Sequence, residues 1–202
     1  MKPAGLILAG GRGSRMGAGV PKPLRLLAGR PLLLHVADRL RPACEPLWVN
    51  AAPGEGFEAL GLPLVADRRP DFRGPLAGIE AGLTQLAAEG VATHLLVAAG
   101  DTPFLRADLA ARLAERGGER PLVARHAGRL QPTVGLWPLT TLAGLSDWLD
   151  AGQPLAIRAF IEATGYDVLD FAGGANASEG DPFFNVNTPE DLEDAERRLA
   201  RR

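Results

Sequence analysis

The chain has 202 residues and a formal net charge of −2, so no overall basic character points to nucleic acid as a partner. Its one cysteine, Cys44, excludes an intramolecular disulfide and any site built on several thiolates, and reads as a small buried residue. No apolar run approaches the roughly 18 residues of a membrane span, and the N-terminal one ends early in glycine and arginine, so the expectation is a cytoplasmic protein with one domain over 1–202 and no membrane contact.

Ala4 to Ala9 is a short continuous apolar run, the pattern of a central parallel strand covered on both faces. It opens into Gly10-Gly11-Arg12-Gly13-Ser14-Arg15-Met16-Gly17, with Lys22 close behind. Glycine has no Cβ, so such a loop can bring backbone N–H groups against a phosphate chain, while Arg12, Arg15 and Lys22 neutralise a polyanion. Neither of the better-known phosphate motifs fits. The P-loop needs Gly-Lys-Ser/Thr after four free positions, and the dinucleotide fingerprint that starts at Gly11 and Gly13 meets Met16 where its third glycine belongs. A nucleoside triphosphate site is the reading that uses the three cations; a plain glycine-rich surface loop is the reading that ignores them.

Downstream, Leu33, Val36, Ala37 and Leu40 recur at helical spacing after Pro31, and the helix must stop before Pro42. Pro46 to Asn50 reads as a second strand. A connector with a short helix follows, then a third strand from Leu62 to Ala66, ending at Asp67. Gly74-Pro75-Leu76-Ala77-Gly78 opens a helix whose stripe is Leu76, Ile79, Leu83 and Leu86. His94 to Ala99 is a fourth strand, closed by Gly100-Asp101-Thr102-Pro103. Ala107 to Glu115 is helical and stops at Gly117-Gly118. Leu122 to Ala124 and Thr133 to Trp137 are strands on either side of a loop from His126 to Pro132. Leu139 to Leu149 and Leu155 to Ala163 are helical, and Asp167 to Phe171 is a strand. Ala172 to Asp181, glycine-rich and polar, predicts a mobile loop. Phe183 to Asn187 reads as a last short strand, and Thr188 caps a final helix with Pro189 at its first position and acidic residues in its first turn.

Alternation of strand and helix over the first half predicts an α/β fold: a Rossmann-like, mostly parallel sheet with helices on both faces and right-handed crossovers. In such sheets ligands sit at the carboxyl ends of the strands. Those ends carry Gly10-Gly11, Asn50, Asp67 and Asp101. Each alone is an ordinary turn residue; together, beside a cationic loop, they describe a site. Nucleotidyl transfer requires positioning, charge neutralisation and a metal, and Mg²⁺ takes hard oxygen ligands. Asp101 is the candidate Mg²⁺ ligand, and Arg15 and Lys22 are the candidates for the β- and γ-phosphates. The attacking phosphate oxygen is already anionic, so His35, His94 and His126 receive no chemical role.

Leu-Ala-Gly-Gly-x-Gly-Ser-Arg-Met-Gly over 8–17, followed by Lys22, resembles the N-terminal signature of nucleotidyltransferases. Pro31-Leu32 with His35-Val36, Asn50-Ala51, Gly74 to Gly78, Asp101 to Phe104, and Phe184-Asn185-Val186-Asn187-Thr188-Pro189-Glu190-Asp191-Leu192 extend that resemblance over nearly the whole chain. Taken together they resemble the molybdenum cofactor guanylyltransferase family. The resemblance implies transfer of GMP from GTP to molybdenum-molybdopterin, with release of pyrophosphate and with Mg²⁺ as cofactor. It implies GTP contacts at Leu8, Ala9, Gly10, Gly11, Lys22, Asn50, Asp67 and Asp101, with Asp101 on the metal, Arg15 as the loop arginine, and Asn185 and Asn187 near the pterin side. It also implies transient contact with molybdenum-inserting and molybdoenzyme maturation proteins. Guanylyl members tend to carry Leu-Ala-Gly-Gly and cytidylyl relatives Leu-Ala-Ala-Gly; this chain has Gly10.

Two departures stand out. Pro21-Lys22-Pro23 replaces the Asp-Lys often seen in the family, and Pro-Lys is more usual in sugar-phosphate enzymes. Gln131-Pro132 stands where many members have His-Pro, and an amide cannot titrate. The alternatives left open are a nucleotidyltransferase with a sugar phosphate as acceptor, one making the cytidine form of the cofactor, and a non-catalytic nucleotide-binding protein.

Overall fold

A computed structural model describes residues 2–10, 19–69, 74–171 and 180–201. Its centre is β1 (Ala4–Leu8), buried along its whole length as a five-residue apolar run must be when both faces are covered. β1 pairs in parallel with β4 (Leu47–Asn50) on one side and β6 (His94–Ala99) on the other, and β5 (Leu64–Val65) lies parallel beyond β4. β8 (Arg129–Pro138) runs antiparallel to both β6 and β7 (Leu122–His126), and β9 (Asp167–Asp170) is parallel to β7. The order is β5-β4-β1-β6-β8-β7-β9, with every strand except β8 running in one direction. A separate small ladder joins β2 (Leu26–Leu27) to β3 (Arg30–Pro31).

Successive residues of a strand face opposite sides, and two cores follow from that period. Ile7, Val49 and Leu96 pack against Leu33, Val36 and Leu40 of α1 (Leu32–Leu40) and against Leu109 and Leu113 of α3 (Leu109–Glu115). On the other face Leu6, Leu8, Trp48 and Val97 meet three helices: α2 (Gly74–Glu89), α4 (Thr141–Asp150) and α5 (Ile157–Thr164). The mostly parallel α/β sheet with helices on both faces is the fold expected from the sequence. Cys44 is buried, and its surroundings push the thiol up to about 12. None of the described helices is long and apolar enough to cross a membrane.

The last strand expected, Phe183 to Asn187, is corrected. This segment leaves a turn at Phe183 as irregular backbone and joins no ladder; a bond from the Val186 N–H to the Asp101 carbonyl at 2.9 Å helps tie it to the turn after β6. Its apolar members find cover without a sheet, because Val186 packs with Leu27, Leu32, Phe104 and Ala195, the last from α6 (Pro189–Leu199). The loop expected from His126 to Pro132 is also much shorter: β7 and β8 form a hairpin turning at Ala127-Gly128, both with positive φ. Ala28-Gly29 makes the same turn between β2 and β3, a hairpin the sequence reading missed. Alanine is an unusual first residue for such a turn, which is why neither hairpin was legible. Pro31 is the N-cap of α1, preceding its first turn. Most of the expected loop 172–181 lies outside the described residues.

β7 shifts register between Val123 and Ala124, opposite Gly135. A Cβ at Gly135 would come 2.7 Å from the Leu122 carbonyl oxygen, a backbone atom that cannot yield without breaking the ladder. Gly135→Ala should therefore destabilise the protein by about 1–3 kcal/mol, measured as a lowered midpoint in thermal or urea unfolding.

Candidate active site

The parallel ladders bring the expected residues to one edge. Leu8 lies opposite Asn50 in β4 and Ala99 in β6, so the three strands stop level with one another. Beyond that line the chain is stitched by backbone bonds. Ala9 and Gly10 both donate to the Asn50 carbonyl, at 3.0 and 2.9 Å, and Gly100 donates to the Leu8 carbonyl at 2.9 Å. Leu8 and Ala9 are buried, and Gly10 is exposed. Among the described residues, a Cβ on Gly10 would meet nothing closer than the Asn50 carbonyl at 3.7 Å. Gly11 and Arg15, also expected at the site, lie outside the described residues.

Asn50 is buried, and its Nδ2 donates to the Val65 carbonyl at 3.0 Å and to Asp67 Oδ1 at 2.8 Å. The carboxamide fits because α2 presents Gly78 to it; a Cβ at Gly78 would stand 2.8 Å from Asn50 Cγ and 2.9 Å from Leu8 Cδ2. Two residues past Asp67, the half-buried Arg69 enters an ion pair with the buried Glu80 of α2. Its Nε donates to Glu80 Oε2 at 2.8 Å, its Nη2 to Oε1 at 2.7 Å, and its Nη1 to Asp150 of α4 at 2.6 Å. Ser146 adds a bond to Glu80 at 2.8 Å. The Arg69 hydrogen bonds hold the Glu80 carboxyl below its usual range against the opposing cost of burial. This clamp anchors the strand end that carries Asp67. The sequence reading missed it; an acidic residue at position 80, on a helix face of leucine and isoleucine, was the available signal. Asp67 titrates above an ordinary carboxyl, chiefly because it is buried and further because Glu80 is nearby; the Asn50 bond works in the other direction.

Asp101 is half-buried just past β6. Burial raises its proton affinity, opposed by its own backbone N–H and by the charge of Lys22. Lys22 starts a 3₁₀ turn over Lys22–Leu24, preceded by Pro21 and carrying Pro23 inside it. The two prolines that depart from the family pattern are thus the residues that shape this turn. Lys22 Nζ donates to Asn187 Oδ1 at 3.1 Å, and Thr102 Oγ1 donates to Asn185 Oδ1 at 2.8 Å. Asn185 and Asn187 therefore join Lys22 and the Asp101 turn at the same edge. Gln131 ends up elsewhere on that side, in the β7–β8 hairpin opposite Ala124.

The mostly parallel seven-stranded sheet with helices on both faces has the fold of the nucleotide-diphospho-sugar transferase type. Two solved structures have the same fold over 98% of this chain, each with a TM-score of 0.75. One is molybdopterin-guanine dinucleotide biosynthesis protein A from Archaeoglobus fulgidus, 23% identical and covered over 100% of its length. The other is 4-diphosphocytidyl-2C-methyl-D-erythritol synthase from Anaerococcus prevotii, 13% identical and covered over 96%. The MobA-like NTP transferase domain matches residues 5–167. Curated relatives called molybdenum cofactor guanylyltransferase are 42% identical in Cereibacter sphaeroides, over 98% of both chains, and 40% identical in Rhizobium meliloti, over 98% of this chain and 92% of that one. The chain belongs to the MobA-like NTP transferase family, among the molybdenum cofactor guanylyltransferases.

The raised proton affinity of Asp101 has a consequence for stability. The folded state binds that proton more tightly than the unfolded chain does, so the ionised carboxylate is a burden on the fold above the raised value and none once both states are protonated. Asp101→Asn should raise the melting temperature at about pH 7.5, and the gain should shrink as pH falls toward about 4, the ordinary carboxyl range. Thermal scans of both proteins across that interval test this.

Proposed function

We propose that this chain transfers GMP from GTP to molybdenum-molybdopterin, producing the guanine dinucleotide cofactor and pyrophosphate, and that residues 1–202 work as one nucleotidyltransferase domain. The observation that carries this is the meeting of Lys22 and Asp101, far apart in sequence, at one sheet edge bridged by the segment 185–187. The relatives' shared name supports the choice of GTP and of the acceptor.

In this reading an oxygen of the acceptor's phosphate attacks the α-phosphorus of GTP. The new P–O bond forms as the bond to the β-phosphate's bridging oxygen breaks, and pyrophosphate leaves with that electron pair. The attacking oxygen is already anionic, so no general base is needed. Leu8, Ala9, Gly10, Gly11, Asn50 and Asp67 hold the nucleotide at the strand ends. Lys22 and Arg15 meet the β- and γ-phosphates and neutralise the charge that develops on the leaving group. Asn185 and Asn187 face the pterin side; each spends its carbonyl on the protein, which leaves its Nδ2 end to donate.

The donor chemistry at Asp101 fits Mg²⁺. It is one hard, half-buried carboxylate, and Mg²⁺ is commonly held by one or two carboxylates together with substrate phosphates and water. Among the described residues no three His, Cys, Asp or Glu side chains gather as a metal-binding group. When bound, Mg²⁺ supplies positive charge to the phosphoryl oxygens. Asp101 is the residue that would hold it.

GTP with Mg²⁺, at a hundred times its dissociation constant, should stabilise the protein by about 2.7 kcal/mol, which is roughly 5 to 10 °C in melting temperature. CTP, ATP and dTTP should give smaller shifts, and Asp101→Asn should abolish GMP transfer while remaining folded. A shift with CTP or dTTP alone would move the assignment to a cytidylyl or sugar-nucleotide enzyme, and wild-type turnover by the variant would remove Asp101 from the metal.

A further inference from the structure

Asp191 has no place in the chemistry above, yet its carboxylate is spent on the residue that holds Lys22. Oδ2 accepts the backbone N–H of Asn187 at 2.9 Å and that of Thr188 at 2.8 Å. In return the Asp191 N–H donates to Thr188 Oγ1 at 3.1 Å, which closes a capping box at the start of α6. Those two backbone hydrogen bonds are the main reason the Asp191 carboxyl titrates low, and the charge of Lys22 contributes in the same direction. A helix cap needs only the bonds within 188–191. The bond to Asn187 reaches outside the cap, to the backbone of the side chain that receives Lys22 Nζ.

The segment before the cap is pinned just as closely. Val186 donates to the Asp101 carbonyl, and its side chain is buried under α6 with Leu27, Phe104 and Ala195. On either side of Val186 the two asparagines are held by hydrogen bonds of their own, Asn185 by Thr102 and Asn187 by Lys22. The stretch 185–191 thus ties Lys22, in the 3₁₀ turn after β1, to the Asp101 turn after β6.

We propose that Asp191 is a positioning residue for Lys22, acting through Asn187: beyond its part in the helix cap, its carboxylate holds the Asn187 backbone and so fixes the phosphate-binding lysine relative to Asp101. This rests on the reading of Lys22 as a ligand of the GTP phosphates. The test uses an accident of composition: the chain has only two lysines, Lys2 and Lys22. Lys2 precedes β1 at the opposite edge of the sheet and serves as an internal reference. The full-length protein is treated briefly with a limiting amine-acylating reagent, and the ratio of Lys22 to Lys2 labelling is read by mass spectrometry.

Asp191→Ala and Asn187→Ala should each raise the ratio several-fold, because the amine loses its fixed acceptor. The double variant should match Asn187→Ala alone. Thr188→Ala, which breaks the cap but keeps the carboxylate on Asn187, should leave the ratio at the wild-type value even though it lowers the melting temperature. In GMP transfer, Asp191→Ala should lower kcat roughly ten- to a hundred-fold with a smaller change in KM for GTP, and should add nothing to Asn187→Ala. An unchanged ratio in Asp191→Ala, or an equal rise in Thr188→Ala, overturns the proposal and leaves Asp191 a helix cap. The expected labelling pattern in a protein that transfers no GMP would keep the positioning role and refute the reaction instead.

Discussion

Leu8 stands between Asn50 and Ala99 in two parallel ladders, and the rest of the site depends on that register. A parallel strand needs a crossover to return, so neighbouring strands in this sheet come from separate stretches of chain. What they share is a direction. Once β4, β1 and β6 run the same way and stop at the same level, the residues after them emerge together, whatever their distance in sequence. The bonds from Ala9 and Gly10 to the Asn50 carbonyl, and from Gly100 to the Leu8 carbonyl, carry this alignment past the ends of the strands.

Two further constraints convert alignment into a shaped site. The first is close helix approach. Gly78 lets α2 lie against the Asn50 carboxamide, and Gly82 lets it lie against Leu6 and Leu95. The second is the partly buried pair of Arg69 and Glu80. Buried ion pairs add little net stability over apolar packing, but breaking one leaves a costly unpaired charge. The geometry of this one is specific: both Glu80 oxygens are used by Arg69, and the guanidinium also reaches Asp150 on the next helix. Its effect is to hold the chain just beyond Asp67 in place while Asp67 keeps its buried, proton-attracting surroundings.

The half of the site that would face the acceptor is assembled differently. No ladder holds residues 183–187; hydrogen bonds and the buried side chains of Phe183 and Val186 do. The final helix covers this segment, with a capping box that makes its first turn rigid. The cation–π contact of Arg198 over Phe184, at 4.0 Å, adds a second attachment between that helix and the segment. Strand ends build the nucleotide side, and a strapped C-terminal segment builds the other.

Much of this was legible in the sequence for local reasons. Apolar runs of strand length, each closed by glycine or a small polar residue, identified β1, β4, β5 and β6 and the side chains that follow them. Thr188-Pro189-Glu190-Asp191 identified α6, because its capping chemistry is local. The cationic glycine-rich loop and the signature around it pointed to nucleotidyl transfer and to the family. What the sequence could not decide were pairings between distant residues. Asn187 as the acceptor for Lys22, Asn185 for Thr102, Arg69 as the partner of Glu80, and the irregular, unladdered course of 183–187 all depend on which segments the fold brings together. Hydrophobic period and turn chemistry act over a few residues and select elements. A hydrogen bond between positions 22 and 187 exists only after a sheet has fixed both ends in space, so tertiary structure alone could decide it.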